Sequence, residues 1–212
     1  MTRDEAVALL KARLTRTNDS TLDAKIVTEM QFVQANVLEM GEIVPWFLIT
    51  DHQTLATVAG DEKVAVPAGF LQEVETDALW ILEDDGTYSP LRKESYDVIA
   101  SLSDYEDSGQ PEVYSLDDAY FRLRPVPDAI FTLRLRAFMR DTVLTTDIEN
   151  NWLKWAPDLL IAETGAIIAG NYLRDSEMFT AFANEASRAR DRLMRNDLAR
   201  SNANQRLLMQ FS

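Results

Sequence analysis

The chain lacks cysteine altogether and has a single histidine among its 212 residues. Without cysteine it forms no disulfide, no thiolate metal site and no thiol nucleophile, and one histidine alone makes a poor metal centre. No apolar run has the length needed to span a bilayer, and no apolar segment of a signal peptide follows the polar first residues. We therefore expect a protein that folds in a reducing compartment and makes no membrane contact.

Glycine is scarce as well, with seven residues. Gly165 and Gly170 lie inside a helical pattern and are not followed by Lys-Ser or Lys-Thr, so no phosphate-binding loop is predicted. No Gly-x-Ser-x-Gly motif accompanies His52, which we interpret as a structural residue in a turn. The acidic runs at 83–85 and 104–107 lack EF-hand spacing and are interpreted as solvated loops. The sequence thus predicts no catalytic residue, no cofactor and no metal site.

Charge is distributed unevenly along the chain. Residues 41–150 hold 22 acidic and 8 basic side chains, and their net charge of −14 equals that of the whole chain. Binding of nucleic acid depends on Lys and Arg side chains that contact phosphates. We therefore expect this acidic segment not to bind phosphates and to repel DNA that passes close by. Two interpretations remain open: a solvated acidic surface, and an acidic regulator that mimics DNA and occupies a basic protein partner.

Residues 1–42 predict two amphipathic helices. Thr2 and Glu5 have the spacing of a capping box, and Ser20 with Asp23 repeats that pattern before the second helix, which should end near Gly41. Apolar residues at helical spacing mark one face of each helix: Ala6, Leu9, Leu10 and Leu14 in the first, and Leu22, Ile26, Met30, Val33 and Val37 in the second.

Residues 149–200 predict an antiparallel helical hairpin that reverses at 174–176. Its two faces carry small and apolar residues three and four apart: Leu159, Ala162, Ala166, Ala169 and Leu173 in the first helix, and Met178, Phe182, Ala186, Ala189 and Leu193 in the second. Small residues such as Gly165 and Gly170 let two helices approach closely. We expect this hairpin to pack on the N-terminal helices, so that both chain ends build one bundle.

Residues 43–148 have a different pattern, with six or seven short β-prone runs separated by turns. The runs at 46–49 and 55–58 read as separate strands, Asp85-Gly86 as a tight turn and Asp117-Asp118 as a hairpin turn. Across 129–138, Phe131, Leu133 and Leu135 alternate with Thr132, Arg134 and Arg136, which predicts a sheet with one apolar and one polar face. The predicted fold class is therefore α+β: a helical bundle from the N- and C-terminal helices with an inserted small antiparallel β domain.

The end of the chain, 201–212, reads as a tail that binds a partner. A polar, loose spacer at 201–204 precedes the apolar Leu207, Leu208, Met209 and Phe211, which would dock on a partner or a neighbouring subunit, or pack as a last helical turn on their own bundle. Arginines line the preceding helix and would pair with an acidic neighbour or remain a solvated face. The candidate partner-binding residues are Leu207, Leu208, Met209, Phe211, Arg188, Arg192 and Arg195.

An ordered set of short motifs resembles the tailed-bacteriophage head-to-tail adaptor (connector, or head-completion) family. These motifs are Gly-Gln-Pro-Glu-Val-Tyr at 109–114, Phe-Arg-Leu-Arg-Pro-Val-Pro-Asp at 121–128, Asn-Trp-Leu at 151–153, Pro-Asp-Leu-Leu at 157–160 and Gly-Asn-Tyr-Leu at 170–173. Residues 66–71 are similar to the family's Pro-Ala-Asp-Phe-Leu motif, with Gly69 in place of the acidic residue. A second departure is at 136–139, where the family more often has two tyrosines.

The resemblance implies a structural function rather than a catalytic one. Such proteins form a ring, usually dodecameric, beneath the portal protein, extend the DNA channel and bind tail or nozzle proteins. It also implies a place in the virion neck after assembly in the host cytoplasm, with DNA passing through without specific binding. A carboxylate-based hydrolase is the least favoured reading, because a chain with 35 acidic residues always contains some suggestive pair.

Overall fold

The computed structural model describes residues 1–39, 41, 44–74, 77–101, 108–145 and 150–210. It confirms the α+β class, with helices at both ends of the chain and an inserted, mainly antiparallel sheet region. Two compact units are formed: a helical unit of Met1–Leu48 with Arg140–Ser212, and a sheet unit of Ile49–Met139. The chain therefore leaves the helical unit once and returns to it once.

The first helix, α1 (Arg3–Arg13), begins with the predicted capping box, since Thr2 Oγ1 accepts from the Glu5 amide and Glu5 Oε2 accepts from the Thr2 amide. The second, α2 (Thr21–Phe32), continues into a wider π-helical turn, Val33–Leu38. The predicted Ser20 cap is wrong. Ser20 already has helical backbone angles, and Asp19 accepts from the amide and hydroxyl of Thr21 instead, at 3.0 and 2.5 Å. These hydrogen bonds lower the pKa of Asp19.

The sheet unit contains eleven short strands among its described residues, where the sequence predicted six or seven. They are β1 (Ile49–Ala56), β2 (Lys63–Ala65), β3 (Phe70–Glu73), β4 (Leu79–Leu82), β5 (Tyr88–Pro90), β6 (Arg92–Lys93), β7 (Ser108–Gly109), β8 (Val113–Asp117), β9 (Tyr120–Arg124), β10 (Val126–Pro127) and β11 (Thr132–Met139), with one helix, α3 (Tyr96–Ser101). One sheet has the order β1-β11-β4-β5, with β3 also on β11, a second has the order β2-β9-β8-β6, and β7 pairs with β10.

The two larger sheets share one apolar core. Leu133, Leu135 and Ala137 of β11 are fully buried, which confirms the predicted alternation. They join a cluster that includes Tyr114 and Phe121 from the second sheet. Burial raises the pKa of the Tyr114 phenol, and the hydrogen bond that it donates to Glu73 at 2.6 Å raises it further.

Turns in the sheet unit follow the sequence signals closely but not everywhere. Gly86 has the positive φ of a tight turn, as predicted. The β8–β9 turn lies at Asp118 and Ala119, because Asp117 still pairs with Tyr120, and Asp118 takes the positive φ that Asp tolerates. The runs at 46–49 and 55–58 are not two strands. Trp46–Leu48 forms one 3₁₀ turn of the helical unit, and the strand begins at Ile49.

The C-terminal part contains α4 (Asn151–Trp155), α5 (Pro157–Ile167) with a π-helical turn at Ile168–Leu173, and α6 (Ser176–Gln210). The chain reverses at 174–176, as predicted: Arg174 is left-handed, and Asp175 Oδ1 accepts from the Met178 amide and caps α6. The prediction of a loose spacer after Arg200 is wrong, because α6 continues through 201–204 to Gln210. The whole helix has 35 residues. No Gly or Pro occurs in 176–210 to end the helix.

The α5–α6 contact is as close as the small residues predict. Phe182, Ala186 and Ala189 of α6 are buried. A Cβ placed on Gly165 would stand 2.6 Å from the Phe182 ring, well inside van der Waals contact, and one on Gly170 would stand 3.1 Å from Phe179. The guanidinium of Arg13 covers the Phe182 ring at 4.8 Å, so the ring has little freedom to move away.

A polar cluster joins the segments that flank the inserted unit, and we call it the polar clasp: Gln34, Glu39, Asp141, Thr142 and Asn150. Gln34, Glu39 and Asn150 are buried, Asp141 is half-buried and Thr142 is exposed. Gln34 Nε2 donates to Glu39 Oε1 at 2.9 Å and to the Thr142 carbonyl at 3.2 Å. The side-chain amide of Asn150 donates to Gln34 Oε1 at 3.1 Å and to the Thr142 carbonyl at 2.7 Å. The backbone N–H of Asp141 donates to Glu39 Oε1 at 3.1 Å. The clasp therefore ties the end of α2 to the returning chain.

The clasp also starts α4. Asn150 Oδ1 accepts from the amides of Trp152 and Leu153 at 2.9 and 3.2 Å, while the Trp152 indole donates to Glu39 at 3.4 Å. Gln34, Glu39 and Asn150 are each at most 4% exposed. Buried groups of this kind cost free energy unless every one has a partner, so loss of one member leaves the others unsatisfied.

We expect Gly165→Ala to destabilise the helical unit, although Ala favours helix by about 1 kcal/mol. The added methyl group overlaps the Phe182 ring, and overpacking costs about 1–3 kcal/mol. Urea unfolding of Gly165→Ala alone and in a Phe182→Ala background measures the coupling. The substitution should lower stability in the first case and raise it in the second. The same sign in both backgrounds would contradict the close contact.

Asn150→Ala should lower the free energy of unfolding by about 1–3 kcal/mol, since it removes a helix cap and takes away the donor that Asn150 supplies to Gln34 Oε1. Asn184→Ala, on the exposed side of α6, is the matched control and should be near neutral. Urea unfolding followed by tryptophan fluorescence compares the two. Equal, small effects would show that the clasp does not hold the unit together.

Candidate functional site

Three of the predicted partner-binding residues lie on one exposed stripe of α6. Arg188, Arg192 and Arg195 follow each other at intervals of four and three residues and are all exposed. Arg192 donates to Asp158 of α5 at 3.3 Å, and Arg195 donates to the Asp191 carbonyl at 3.2 Å. Arg188 has no ion pair within the described ranges, so its charge is the most available of the three for another molecule.

Three further arginines, Arg190, Arg13 and Arg200, hold α6 in place. Arg190 donates to Glu163 of α5, and Arg13 of α1 donates to Glu185 of α6. The Arg200 guanidinium lies 3.7 Å from the centroid of the Trp46 ring. α6 is thus fixed to its own unit at several points along its length.

Trp46 is part of an aromatic group that meets α6 from the 3₁₀ turn. Its amide donates to Asp197 at 3.1 Å, and its ring lies 5.0 Å from that of Trp155. Trp152 is buried, whereas Trp155 is 48% exposed. The sequence pattern did not predict the contacts of Asp197 and Arg200 with Trp46, because nothing local marks a partner so distant, 151 residues away in the case of Asp197.

The apolar tail residues Leu207, Leu208 and Met209 lie in the last turns of α6, where the backbone is helical to Gln210. The prediction for Phe211 falls outside the described residues. At about 1.5 Å per residue, the ten residues from 201 to 210 extend the helix by roughly 15 Å beyond Arg200.

An open apolar groove of about 310 Å³ lies elsewhere on the helical unit. We call it the bundle groove. Its lining includes Val37 and Leu38 from the π-helical turn, Leu159 from α5, and Leu193 and Met194 from α6, with Arg190 also lining it. Val37, Leu193 and Met194 are half-buried, so apolar side chains line an open surface here.

His52 lies on the polar face of the first sheet. The expectation that it lies in a turn is wrong, because it belongs to β1, where Arg134 of the neighbouring β11 donates to its ring. The Arg134 guanidinium also covers the Tyr88 ring at 5.0 Å. With Trp80 and Asp77 these residues line a pocket of about 210 Å³. A search of the described side chains found no cluster of three potential metal ligands.

The excess negative charge belongs to the sheet unit. It holds 18 acidic and 7 basic residues, a net charge of −11, whereas the helical unit carries only −3. Its basic side chains are largely engaged within the unit: Arg122 and Arg124 both pair with Glu62, and Lys93 pairs with Glu73. The surplus carboxylates therefore define the electrostatic character of this unit.

Comparison with known proteins places the chain in a family. The family model described as SU10 adaptor protein matches residues 1–207, which span both units and nearly all of α6. No curated protein matches the chain. None of the helices, over the part of the chain that the structure describes, is long and apolar enough to cross a membrane. The resemblance predicted from the motifs is confirmed, and the chain belongs to the SU10 adaptor protein family, a family of phage head-to-tail adaptors.

Proposed function

We propose that the protein is a building block of the neck of a tailed phage, where copies form a ring beneath the portal, extend the DNA channel and join the head to the tail. The single observation that carries this proposal is the family match over residues 1–207, because it includes both units rather than one shared module. Assembly would take place in the host cytoplasm, before the ring becomes part of the virion.

The helical unit has the properties of a subunit that packs beside others. Its α6 is 35 residues long, about 50 Å, and is tied to α1, α5 and the 3₁₀ turn by the contacts given above. A long helix that is fixed to its own unit and carries one exposed basic stripe presents the same surface in every copy, which symmetric assembly needs. We assign binding of the portal, a tail or nozzle protein, or a neighbouring copy to Arg188, Arg192 and Arg195, together with Leu207, Leu208, Met209 and Phe211.

The acidic charge of the sheet unit is consistent with a channel through which DNA passes without binding. A net charge of −11 repels the phosphate backbone, whereas a tight grip would need Lys and Arg in excess. A ring of such units would let DNA slide through at physiological salt. We therefore propose a channel function for the acidic unit, with no specific DNA contact.

Electron microscopy of the protein mixed with its portal tests this proposal. We expect a ring of density below the portal, and a monomer when the protein is alone, since ring components often assemble only on their template. Absence of ring density at saturating protein would contradict the proposal. If the protein instead bound a basic DNA-binding enzyme in a way abolished by moderate salt, the acidic DNA-mimic alternative would be favoured.

Arg188→Glu should weaken assembly on the portal by about tenfold, with a loss that shrinks at high salt, because it reverses an exposed charge that has no ion pair in the described chain. Arg16→Glu makes the same charge change in the exposed α1–α2 loop and serves as the control. Sedimentation of the protein with portal particles measures both. Equal binding by the two variants would remove the arginine stripe from the interface.

A further inference from the structure

We propose that the apolar tail of one copy, residues 207–211, docks into the bundle groove of a second copy, and that this contact links neighbouring subunits. The inference rests on the proposed function, since it names the subunit contact of the ring. It brings together an open apolar groove on the helical unit and the apolar sequence at 207–211.

The tail cannot fill the groove of its own chain. Leu193 and Met194, which line the bundle groove, belong to the same continuous helix as Leu207. Fourteen residues separate Leu193 from Leu207, so the two lie roughly 21 Å apart along the axis. A continuous helix does not return to an earlier part of itself, so a tail that occupies this groove comes from another molecule.

The chemistry of the two surfaces matches. The groove presents Val37, Leu193 and Met194 half-buried beside the buried Leu38 and Leu159. The tail reads Leu-Leu-Met-Gln-Phe, so four of its five side chains are apolar. An apolar helix face in an apolar groove is a common form of peptide recognition, and methionine adapts to irregular walls.

This contact can link one copy to the next in a continuing series. Tail and groove are different surfaces, so each copy offers one of each, and the contact is heterologous. Heterologous contacts generate rings when the rotation closes and open filaments when it does not. A template such as the portal would select closure, which connects the groove to the proposed ring.

The contact alone should be weak. The tail contributes four apolar side chains, whereas a stable protein interface takes about 20–30 residues from each partner. Stable linkage therefore requires many such contacts at once, on a template that raises the local concentration of subunits. This agrees with the expectation that the free protein is monomeric.

Because the chain has no cysteine, introduced cysteines report the contact without background. Val37→Cys protein is mixed with Leu207→Cys protein, both full-length, in concentrated solution and on portal particles, and treated with a short bis-maleimide. We expect a covalent dimer of the two variants, strongest on the portal. Val37→Cys mixed with Ser187→Cys, which is exposed on another part of α6, is the control and should give several-fold less.

A chain carrying both Val37→Cys and Leu207→Cys distinguishes the source of the tail. Links between copies are expected, and links within one chain would overturn the proposal. Equal yields from Leu207→Cys and Ser187→Cys in both conditions would also overturn it. If ring density still appears below the portal in that case, the proposed function stands and only the groove contact fails.

A second measurement avoids any change to the groove. Leu207→Asp with Leu208→Asp should weaken assembly on the portal by on the order of tenfold or more, with an unchanged melting temperature of the free protein. Asn202→Asp with Asn204→Asp adds the same two charges to the same helix and should have little effect. Equal losses for both pairs would point to charge rather than apolar docking, and would contradict the proposal.

Discussion

The fold depends on one polar clasp that closes the helical unit around an insertion. Gln34, Glu39 and Asn150 meet although 116 residues separate Gln34 from Asn150 in sequence. The ion pair of Arg13 with Glu185 also joins the N-terminal helices to α6, but its side chains are 31% and 40% exposed and solvent weakens it. Apolar contact adds free energy but is not directional. The clasp fixes where α2 ends and where α4 begins, and therefore fixes the position of α5 and of the long α6 packed on it.

Much of this architecture was predictable because its signals are local. The structure contains the helices that the spacing predicts, the Thr2–Glu5 box and the close α5–α6 contact at Gly165 and Gly170. Leu9, which the spacing places on the apolar face of α1, is 41% exposed and is an exception. The alternation of apolar and polar residues in β11 predicted its buried face correctly, because that pattern is also local in sequence. The family resemblance also came from short segments read in order, and the match over residues 1–207 confirmed it.

The clasp and the 3₁₀ turn were missed because they depend on contacts between residues far apart in sequence. The clasp was not predicted, since Gln34, Glu39 and Asn150 look like ordinary surface residues until the chain brings them together. Trp46 and Phe47 read as strand residues because they are aromatic, yet they pack in the helical unit, where the Phe47 ring lies 5.0 Å from that of Trp152. The tail was expected to be loose because Ser and Asn weakly disfavour helix, but weak propensity does not end a helix in the absence of Gly or Pro.

The central claim is that the two ends of the chain fold as one helical module which serves as a rigid subunit. Native-state hydrogen exchange of the free protein tests it most directly, since it measures the opening free energy of each segment. We predict that amides of α2, α4 and α5 share one opening free energy close to that of global unfolding of the helical unit. A distinctly lower value for α2 than for α5 would show that the N-terminal helices open independently, and would contradict the account.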